Sequence, residues 1–370
     1  MFFIYRMGGG GAARTMLNII NHLDRTKFQP MLVTLDFAYT YEDYVRDDVE
    51  FIKLPVKRLR QAIVPLSKLL RKEAPDLLFS TVPNYNTVAI LAKILSRTKT
   101  KLIVREAAYL GGTKKENITL KIYGLLYRAA QRVIALSDGV KNNLITRYHV
   151  REDKISVVYN PVDLRHIENE SIKNIEEQDL FNQAKKVIIT AGRLVPEKDH
   201  ATLLQSFANI KPELNAHLII LGEGELDEQL KQQAAALGIS ERVSFLGFKQ
   251  NPYSYIKRAD VFTLTSTTEG FGHVLVEALA LGVPIVSTRC NPGAEEILGE
   301  STYGMLSDVG DVQSITQNLE RALSLTDEER KKIILKGKKR ANQFAADQIV
   351  EQYEQIFMQL LKKTKRKHSN

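Results

Sequence analysis

The residues best suited to chemistry lie in one segment of the second half of the chain, 269–277, which reads Glu-Gly-Phe-Gly-His-Val-Leu-Val-Glu. The segment follows a predicted strand and opens a predicted helix. Gly270 and Gly272 let a ligand approach the backbone closely, and the first turn of a helix directs N–H groups at an anion such as a diphosphate. Glu269 and Glu277 can accept hydrogen bonds from hydroxyls at two heights along one ligand. The pattern predicts a site for an anionic ligand that carries sugars; a glycine-rich turn with two surface glutamates is the simpler alternative.

Two further loops follow predicted strands of the same domain. Arg193 and Lys198 are five residues apart across a loop that contains proline, and two such cations can converge on a pair of phosphates. The turn Gly222-Glu-Gly224 follows the next strand and is less specific. A solvated charged loop is the alternative for the Arg193 and Lys198 segment. Because all these segments end strands of one predicted sheet, their joint occurrence favours a phosphate-binding site.

The elements that must position these residues are short apolar strands that alternate with helices of 10–15 residues, a pattern typical of βαβ units and parallel sheets. The rhythm restarts near residue 186, which predicts two doubly wound α/β domains over 1–163 and 164–345. An amphipathic helix with a basic tail is predicted over 346–370. In doubly wound sheets, ligands bind beyond the carboxyl ends of the strands, so we expect the site in a cleft that the two domains face. The predicted strands cover 2–7, 30–35, 76–80, 101–104, 132–136, 155–159, 186–190, 216–221, 242–246, 261–265 and 284–287.

Composition supports an ordered protein of two domains. The chain has 370 residues, of which 44% are hydrophobic and 26% charged, which excludes a disordered chain, a collagen-like repeat and a coiled-coil rod. The single cysteine, Cys290, excludes an intramolecular disulfide framework and a cysteine-rich zinc module. The sequence has no apolar run of about 18 residues, and its first residues lack the pattern of a signal peptide. We therefore expect a cytoplasmic protein.

The positive charge is concentrated in the first half. Residues 1–165 contain 27 basic and 15 acidic residues, whereas residues 166–370 contain 25 and 28. Basic residues alternate with aliphatic and aromatic ones over 57–72 and 114–128. Helices of this kind can lie on an anionic membrane surface, although ordinary amphipathic helices facing water are the simpler interpretation. No zinc-finger spacing or aromatic-plus-basic RNA signature is present, so no nucleic-acid partner is expected.

The motifs of the second half resemble those of the retaining glycosyltransferases of family GT4, which have the GT-B fold. The likeness rests on the order of a Gly-Arg-Leu…Glu-Lys loop at 192–198, a Gly-Glu-Gly turn at 222–224, a Phe-Leu-Gly strand end at 245–247, and two glutamates eight residues apart at 269 and 277. Segments of the first half at 8–14, 83–84, 133–141 and 159–163 resemble the family's first domain. The resemblance covers nearly the whole chain and implies two Rossmann-like domains facing a central cleft. It implies that the domain over 1–163 binds the acceptor, that the domain over 164–345 binds the nucleotide-sugar, and that the helix in 346–370 returns to the first domain.

The resemblance also implies roles for individual residues. Arg193 and Lys198 would hold the diphosphate of a nucleotide-sugar, and Glu277 would bind the ribose. Glu269 would contact the donor sugar as a catalytic residue. The remaining expected donor contacts are Gly270, Phe271, Gly272 and Gly224 in the second domain and Gly10 and Gly11 in the first.

One loop departs from the common family pattern. Many members carry a histidine in the loop after the fourth strand, whereas residues 104–109 here read Val-Arg-Glu-Ala-Ala-Tyr. Glu106 resembles a glutamate found at this loop in members that act on lipid-linked or lipopolysaccharide acceptors. It is therefore a candidate catalytic residue that contacts the sugar or the acceptor, with a structural ion-pairing role as the alternative.

Together these features imply an enzyme that moves a hexose or N-acetylhexosamine from a nucleotide-sugar, with UDP as the expected nucleotide, to a lipid-linked or cell-surface glycan acceptor. The family usually needs no metal, because Arg, Lys and a helix terminus stabilise the leaving diphosphate, so no cofactor and no metal site are expected. The implied location is the inner face of a bacterial membrane, held peripherally by the basic helices.

Two other classes of enzyme fit parts of the sequence. The run 8–13 matches a dinucleotide fingerprint with Asp36 at the end of the second strand, which would indicate an NAD-dependent oxidoreductase. A run of four glycines satisfies this pattern easily, and the spacing to Asp36 is longer than the ~20 residues expected. Sugar-nucleotide 2-epimerases share the two-domain architecture and are the second alternative, and a non-catalytic sugar-nucleotide binder is the third.

Overall fold

The structure is a computed structural model that describes residues 1–8, 10–37, 41–183, 186–290 and 292–365. The chain divides into two compact units. Unit 1 comprises Met1–Val162 and the segment that starts at Ala346, and unit 2 comprises Asp163–Ala345. No helix in these described ranges is long and apolar enough to cross a membrane.

Unit 1 contains a parallel seven-stranded sheet with the order β3-β2-β1-β4-β5-β6-β7. The direction of strand succession reverses between β1 and β4, which pair with each other. The strands are β1 Phe2–Phe3, β2 Met31–Leu35, β3 Glu50–Leu54, β4 Leu77–Thr81, β5 Lys101–Glu106, β6 Arg132–Ala135 and β7 Ile155–Val157. The helices between them are α1 Gly11–His22, α2 Ile63–Glu73, α3 Pro83–Ser96, α4 Lys114–Tyr127 and α5 Asp138–Thr146.

Unit 2 contains a parallel six-stranded sheet with the order β10-β9-β8-β11-β12-β13. Its strands are β8 Lys186–Ala191, β9 Ala216–Leu221, β10 Val243–Phe245, β11 Val261–Leu264, β12 Ile285–Thr288 and β13 Met305–Ser307. Its helices are α6 Leu164–Ser171, α7 Gln178–Gln183, α8 His200–Ala208, α9 Asp227–Ala236, α10 Tyr253–Ile256, α11 His273–Leu281, α12 Gly293–Leu298, α13 Val312–Leu323 and α14 Asp327–Asn342. The direction of strand succession reverses between the paired strands β8 and β11.

The last helix, α15 Ala346–Lys365, packs on unit 1. Its apolar positions recur at helical spacing and enter the core of that unit beside Phe2 and Phe79. The helix begins where Ala346 N donates to Val162 O (2.9 Å), so the two chain segments that border unit 2 are joined at this point. The buried residues of α15 are Ile349, Val350, Tyr353, Phe357 and Leu360.

The fold is the predicted α/β class with parallel, doubly wound sheets, and sequence reasoning missed only weak strands. β3 lies at the edge of its sheet, and the charged residues Glu50 and Lys53 interrupt its run of apolar residues. β13 has three residues and is also at an edge. The predicted first strand over 2–7 is shorter in the structure, at Phe2–Phe3. Short edge strands carry few apolar residues, so their pattern is weak in a sequence.

Candidate functional site

The loops that follow β8, β9 and β10 pack against one another through their backbones. Gly222 N donates to Gly247 O (2.8 Å), which joins the loops after β9 and β10. A side chain on Gly222 would overlap the carbonyl oxygen of Gly192, and one on Gly224 would overlap that of Leu194. Glycine is therefore required at both positions by contacts between loops, which gives Gly224 a packing role independent of any ligand.

Arg193 and Lys198 lie in the loop after β8 and differ in their surroundings. Arg193 is exposed, and its guanidinium forms no ion pair within the described ranges. Lys198 is mostly covered, with 19% of its side chain exposed, and its stem runs beside Gly192. Its ammonium pairs with the carboxylate of Glu269, whose side chain is 14% exposed. The loop thus presents one unpaired cation and one cation already held by an acid.

Glu269 is fixed by contacts that the sequence did not single out. Ser266 Oγ donates to Glu269 Oε1 (2.9 Å). The Glu269 carbonyl accepts from Gly293 N (3.0 Å), and Glu269 forms an isolated parallel bridge with Pro292. Ser266 lies two residues beyond β11, at the edge of the sheet where the site is predicted. This position after a strand is the sequence signal that could have identified it. Gly293 gave no such signal, because its contact with the 269–272 segment joins distant parts of the chain.

The loops after β8 and β11 are also joined directly. Thr267 N donates to Glu197 O (2.8 Å), and Thr265 Oγ1 donates to Asp199 O (3.0 Å). The two loops thus meet at the carboxyl ends of neighbouring strands, where the direction of strand succession reverses. In doubly wound sheets this position is where ligands bind. The Lys198–Glu269 pair therefore stands at the expected binding point of unit 2.

The helix α11 begins at this same edge. Its N-cap, Gly272, has φ +82° and ψ +61°, a left-handed conformation that favours glycine, and no side chain caps the helix. The Phe271 ring is buried, with its centroid 5.4 Å from those of Phe344 and His273. Its side chain therefore belongs to the core, and only its backbone remains for the predicted ligand contact. Glu277 lies in α11 and is 3% exposed.

Two buried titratable side chains adjoin the site. His200, at the start of α8, has Nε2 3.3 Å from Arg193 O. Burial lowers the pKa of His200 to about 4, so the ring is neutral at physiological pH and supports the loop without adding charge. Burial is the main cause that raises the pKa of the Cys290 thiol to about 12, and the negative charge of the nearby Glu269 carboxylate adds to the shift. Cys290 is therefore a protonated core residue at neutral pH.

In unit 1, the glycines predicted to contact a diphosphate lie at the start of α1. Gly10 is the N-cap in an extended conformation, and no side chain caps the helix. Gly10 and Gly11 are exposed, and a Cβ at Gly10 would have open space around it. Gly9, part of the same run, lies outside the described residues. The start of α1 therefore offers exposed backbone rather than a packed turn.

Glu106 ends β5 and lies inside unit 1, with no exposed surface. Its Oε2 accepts from the hydroxyls of Tyr127 (2.9 Å) and Tyr148 (3.2 Å), and its Oε1 accepts from Ala107 N (3.1 Å). Burial raises the pKa of Glu106 to about 7, against the opposing effect of these hydrogen bonds and of the Arg105 charge. In this conformation the carboxyl is engaged by two tyrosines, and contact with an acceptor would require the residues that cover it to move.

No cluster of three or more histidine, cysteine or acidic side chains that could hold a metal ion is found in the described part of the chain.

Comparison with known proteins identifies the family. The model "Glycosyl transferases group 1" matches residues 171–340, and the model "Glycosyltransferase Family 4" matches residues 9–166. The chain is 30% identical over 360 residues to an N-acetylgalactosamine-N,N'-diacetylbacillosaminyl-diphospho-undecaprenol 4-alpha-N-acetylgalactosaminyltransferase from Campylobacter jejuni, covering 92% of this chain and 94% of that protein. It is 25% identical to the capsular polysaccharide biosynthesis glycosyltransferase CapM of Staphylococcus aureus, covering 83% of each.

Solved structures share the fold. The structure of Anabaena HepE in complex with UDP-glucose matches with a TM-score of 0.81 at 22% identity, covering 97% of this chain and 98% of that one. This likeness confirms the GT-B fold, and the family match decides against an NAD-dependent oxidoreductase. The chain belongs to the GT4-type glycosyltransferases, as its loop motifs predict.

Proposed function

We propose that this glycosyltransferase moves a hexose or N-acetylhexosamine from a UDP-sugar to a lipid-linked or cell-surface glycan acceptor and retains the configuration of the sugar. The Campylobacter jejuni relative supports this, because its name describes an α-linked N-acetylgalactosamine added to a glycan on diphospho-undecaprenol and its similarity covers nearly both chains. The name of CapM, which places that relative in capsular polysaccharide biosynthesis, supports the same class of acceptor.

The observation that carries the proposal is the pairing of Lys198 with Glu269 at the carboxyl ends of β8 and β11. A partly buried ion pair keeps both charges in place before the ligand arrives. A diphosphate that binds near Arg193 would compete with Glu269 for the ammonium of Lys198. The released carboxylate could then accept hydrogen bonds from the hydroxyls of the donor sugar. One exchange of partners would thus prepare both ends of the donor site.

The remaining donor contacts follow from the start of α11. The uncapped first turn at Gly272, with Gly270 and Phe271 before it, offers backbone N–H groups to the departing diphosphate. Glu277 would bind the hydroxyls of the ribose. Arg193, Lys198 and the helix terminus together would stabilise the negative charge that develops on the leaving group, so we propose that transfer requires no metal ion.

Two groups of unit 1 take part in the proposal. Gly10 and Gly11 would offer the exposed start of α1 to the diphosphate. Glu106 would act as a positioning residue: it holds Ala107 and two tyrosines, and so fixes the start of the loop that joins β5 to α4. Contact between Glu106 and the acceptor remains a prediction that depends on movement of this loop.

The proposed nucleotide is UDP. Solved structures of HepE, which share the fold, include complexes with UDP, with UDP and glucose, and with UDP-glucose. These complexes support testing UDP first, with GDP as the comparison.

A membrane-bound acceptor favours attachment of the enzyme to the inner face of a membrane, and the two predicted basic segments contribute differently to this proposal. In α2 the basic side chains are exposed while Leu66 and Leu70 are buried, as in any amphipathic surface helix. In α4 the aliphatic side chains Ile118, Ile122 and Leu125 are 61%, 55% and 61% exposed. They follow one another at helical spacing, so α4 supplies the apolar surface that a membrane can cover.

The test is a transfer reaction followed by NMR. The chain is incubated with UDP-N-acetylglucosamine, UDP-N-acetylgalactosamine, UDP-glucose or UDP-galactose and with polyprenyl-diphosphate-linked acceptors, and the anomeric proton of the product is recorded. An α-linked product supports retention, whereas a β-linked product contradicts it. Epimerisation of a UDP-sugar without acceptor, and no transfer from any donor, would replace the proposal with the epimerase alternative.

A further inference from the structure

A basic cavity of about 400 Å³ lies in unit 1, at the amino-terminal ends of β6 and β7. This is the opposite edge of the sheet from the strand ends where Glu106 lies. Four of its five lining residues can carry a positive charge. The residues that line the cavity are Arg128, His149, Val150, Arg151 and Lys154.

Three of the four basic side chains that line this cavity form no ion pair in the described part of the chain, whereas Arg151 is paired with Asp153. Arg128 and Lys154 form no ion pair within the described ranges, and the exposed ring of His149 has no partner there. The two acids of the segment that joins Arg151 to Lys154 are both paired: Asp153 with Arg151 (2.6 Å) and Glu152 with Lys141 (2.7 Å). An anion that enters the cavity therefore meets two unpaired cations, Arg128 and Lys154, and would compete with Asp153 for Arg151 alone.

The cavity is built on the last turn of α4. Lys154 Nζ donates to Arg128 O (2.7 Å) and to Ala130 O (3.1 Å), which holds the lysine against the end of the helix. On the other side, a Cβ on Gly124 would overlap the carbonyl oxygen of Tyr148, so the segment that carries His149 passes directly across the helix. The position of the cavity relative to α4 is therefore fixed by the Lys154 side chain and by the close packing of the Tyr148 backbone on Gly124.

The same end of α4 exposes apolar side chains. Leu125 lies three residues before Arg128 and is 61% exposed, and Ile122 precedes it on the same face. On the neighbouring helix α3, Ile94 and Leu95 are also exposed, at 58% and 45%. An aliphatic surface beside a basic cavity matches an amphiphile with an anionic head, and the volume of about 400 Å³ admits a phosphate together with part of its headgroup.

We propose that the cavity binds the phosphate of an anionic lipid headgroup while α4 contacts the acyl region. Arg128 would bind the phosphate oxygens, with Lys154, Arg151 and His149 completing the positive surroundings. A lipid is favoured over a free phosphate because the exposed aliphatic side chains adjoin the cavity. This inference rests on the proposed membrane attachment and assigns it a specific headgroup site.

The experiment measures sedimentation of the full chain with vesicles of phosphatidylcholine alone or with added phosphatidate. Arg128→Glu should weaken binding to phosphatidate vesicles at least about fivefold, since loss of one basic residue near an anionic surface costs a factor of about five and the added negative charge increases the effect. Arg128 has no partner to lose, so the variant should keep its fold. Lys336→Glu is the matched control: it makes the same charge change at an exposed position in α14 of unit 2 and should leave binding unchanged.

Leu125→Ser should also weaken binding, with Leu335→Ser, 74% exposed in α14, as its control.

Three results would overturn the inference. One is an Arg128→Glu variant that sediments like Lys336→Glu; a second is a Leu125→Ser variant that sediments like Leu335→Ser. The third is binding of glycerol phosphate that depends on Arg128 without any binding to vesicles, which would assign the cavity to a soluble phosphate. Titration with UDP distinguishes the two proposals. All four variants should bind UDP as the parent does, and failure of the parent to bind UDP would remove the donor site without deciding the lipid site.

Discussion

At the scale of single residues, two buried glutamates have different surroundings. Glu277 lies in the middle of α11, about one turn from the start of the helix, whereas Glu106 is enclosed by tyrosines in unit 1. Both glutamates could be identified from the sequence as candidate site residues, because each lies in a recognisable loop or helix motif. It could not predict the burial of Glu106, because Tyr127 and Tyr148 are 21 and 42 residues away.

Replacing Glu277 tests the ribose contact. Glu277→Gln should lower donor affinity about 10- to 100-fold, because a hydrogen bond to a charged group is worth about 1.5–3 kcal/mol. Turnover should fall with it, since binding energy from remote parts of a substrate also supports the reacting centre. Calorimetry and initial rates measure the two effects. Glu241→Gln, at an exposed position of unit 2, is the control, and unchanged kinetics in Glu277→Gln would remove this assignment.

The raised pKa of Glu106 predicts a pH dependence of stability. Its pKa is about 7 in the fold and 4.5 in the unfolded chain, so the folded state holds the proton more tightly. This group therefore lowers the free energy of unfolding as the pH rises from about 4.5 to about 7, by up to roughly 3 kcal/mol at 1.4 kcal/mol per pKa unit. Denaturant unfolding of the parent and of Glu106→Gln at pH 5 and pH 8 should show the loss in the parent alone. Equal loss in both proteins would contradict the assigned burial.

At the scale of elements, the sequence predicts the alternation of strands and helices and the loops that follow β8, β9 and β11. The parallel pattern and the glycine-rich turns are local signals, so they can be identified without a structure. The contacts that join the loops, such as Thr267 to Glu197 and Gly293 to Glu269, connect residues distant in sequence and could not be predicted. The same holds for which aliphatic side chains of α2 and α4 are covered by neighbouring helices.

A glycine substitution tests the packing of the loops. Gly222→Ala should strongly destabilise unit 2 and weaken UDP binding, because the added Cβ would overlap the Gly192 carbonyl. Gly238→Ala is the matched control, since that residue also has positive φ (+67°) but has open space around it. It should cost only about 1 kcal/mol of backbone strain. Thermal unfolding of both variants measures the difference, and equal effects would mean that the loop contact is unimportant.

The contrast between α2 and α4 predicts two different salt dependences. Reversing the charges of Lys68, Arg71 and Lys72 in α2 should weaken binding to anionic vesicles at low salt and have little effect at high salt, because screening removes the charge term. Replacing Ile118, Ile122 and Leu125 of α4 by serine should weaken binding at both salt concentrations. Sedimentation at two ionic strengths measures this. A salt-independent effect of the α2 variant would instead indicate that α2 inserts.

At the scale of the whole molecule, the end of the chain completes unit 1. The helix α15 contributes five apolar side chains to its core, and the hydroxyl of Tyr353 accepts from Nε of the buried Arg105 (3.2 Å). Arg105 also donates to Thr81 Oγ1 (3.0 Å) and to Asn160, near the end of the first segment of the unit. The first 162 residues are therefore an incomplete folding unit, whereas unit 2 is continuous in sequence.

Truncation tests this dependence. A chain of residues 163–345 should fold alone, whereas residues 1–162 should not, because they lack side chains whose burial contributes about 2 kcal/mol each, or about 10 kcal/mol in total. Circular dichroism and thermal unfolding of the two fragments give the answer. Cooperative unfolding of residues 1–162 without α15 would show that the helix is not needed for the core.

Calorimetric titration of the full chain with UDP, GDP and NAD in metal-free buffer tests the proposed donor site. We expect UDP to bind with a Kd of about 1–100 μM, Arg193→Ala to lose this binding, and Arg321→Ala, at an exposed position of α13, to keep it. Binding of NAD with no response to UDP or GDP would contradict the assignment of the donor site. So would UDP binding that Arg193→Ala leaves unchanged.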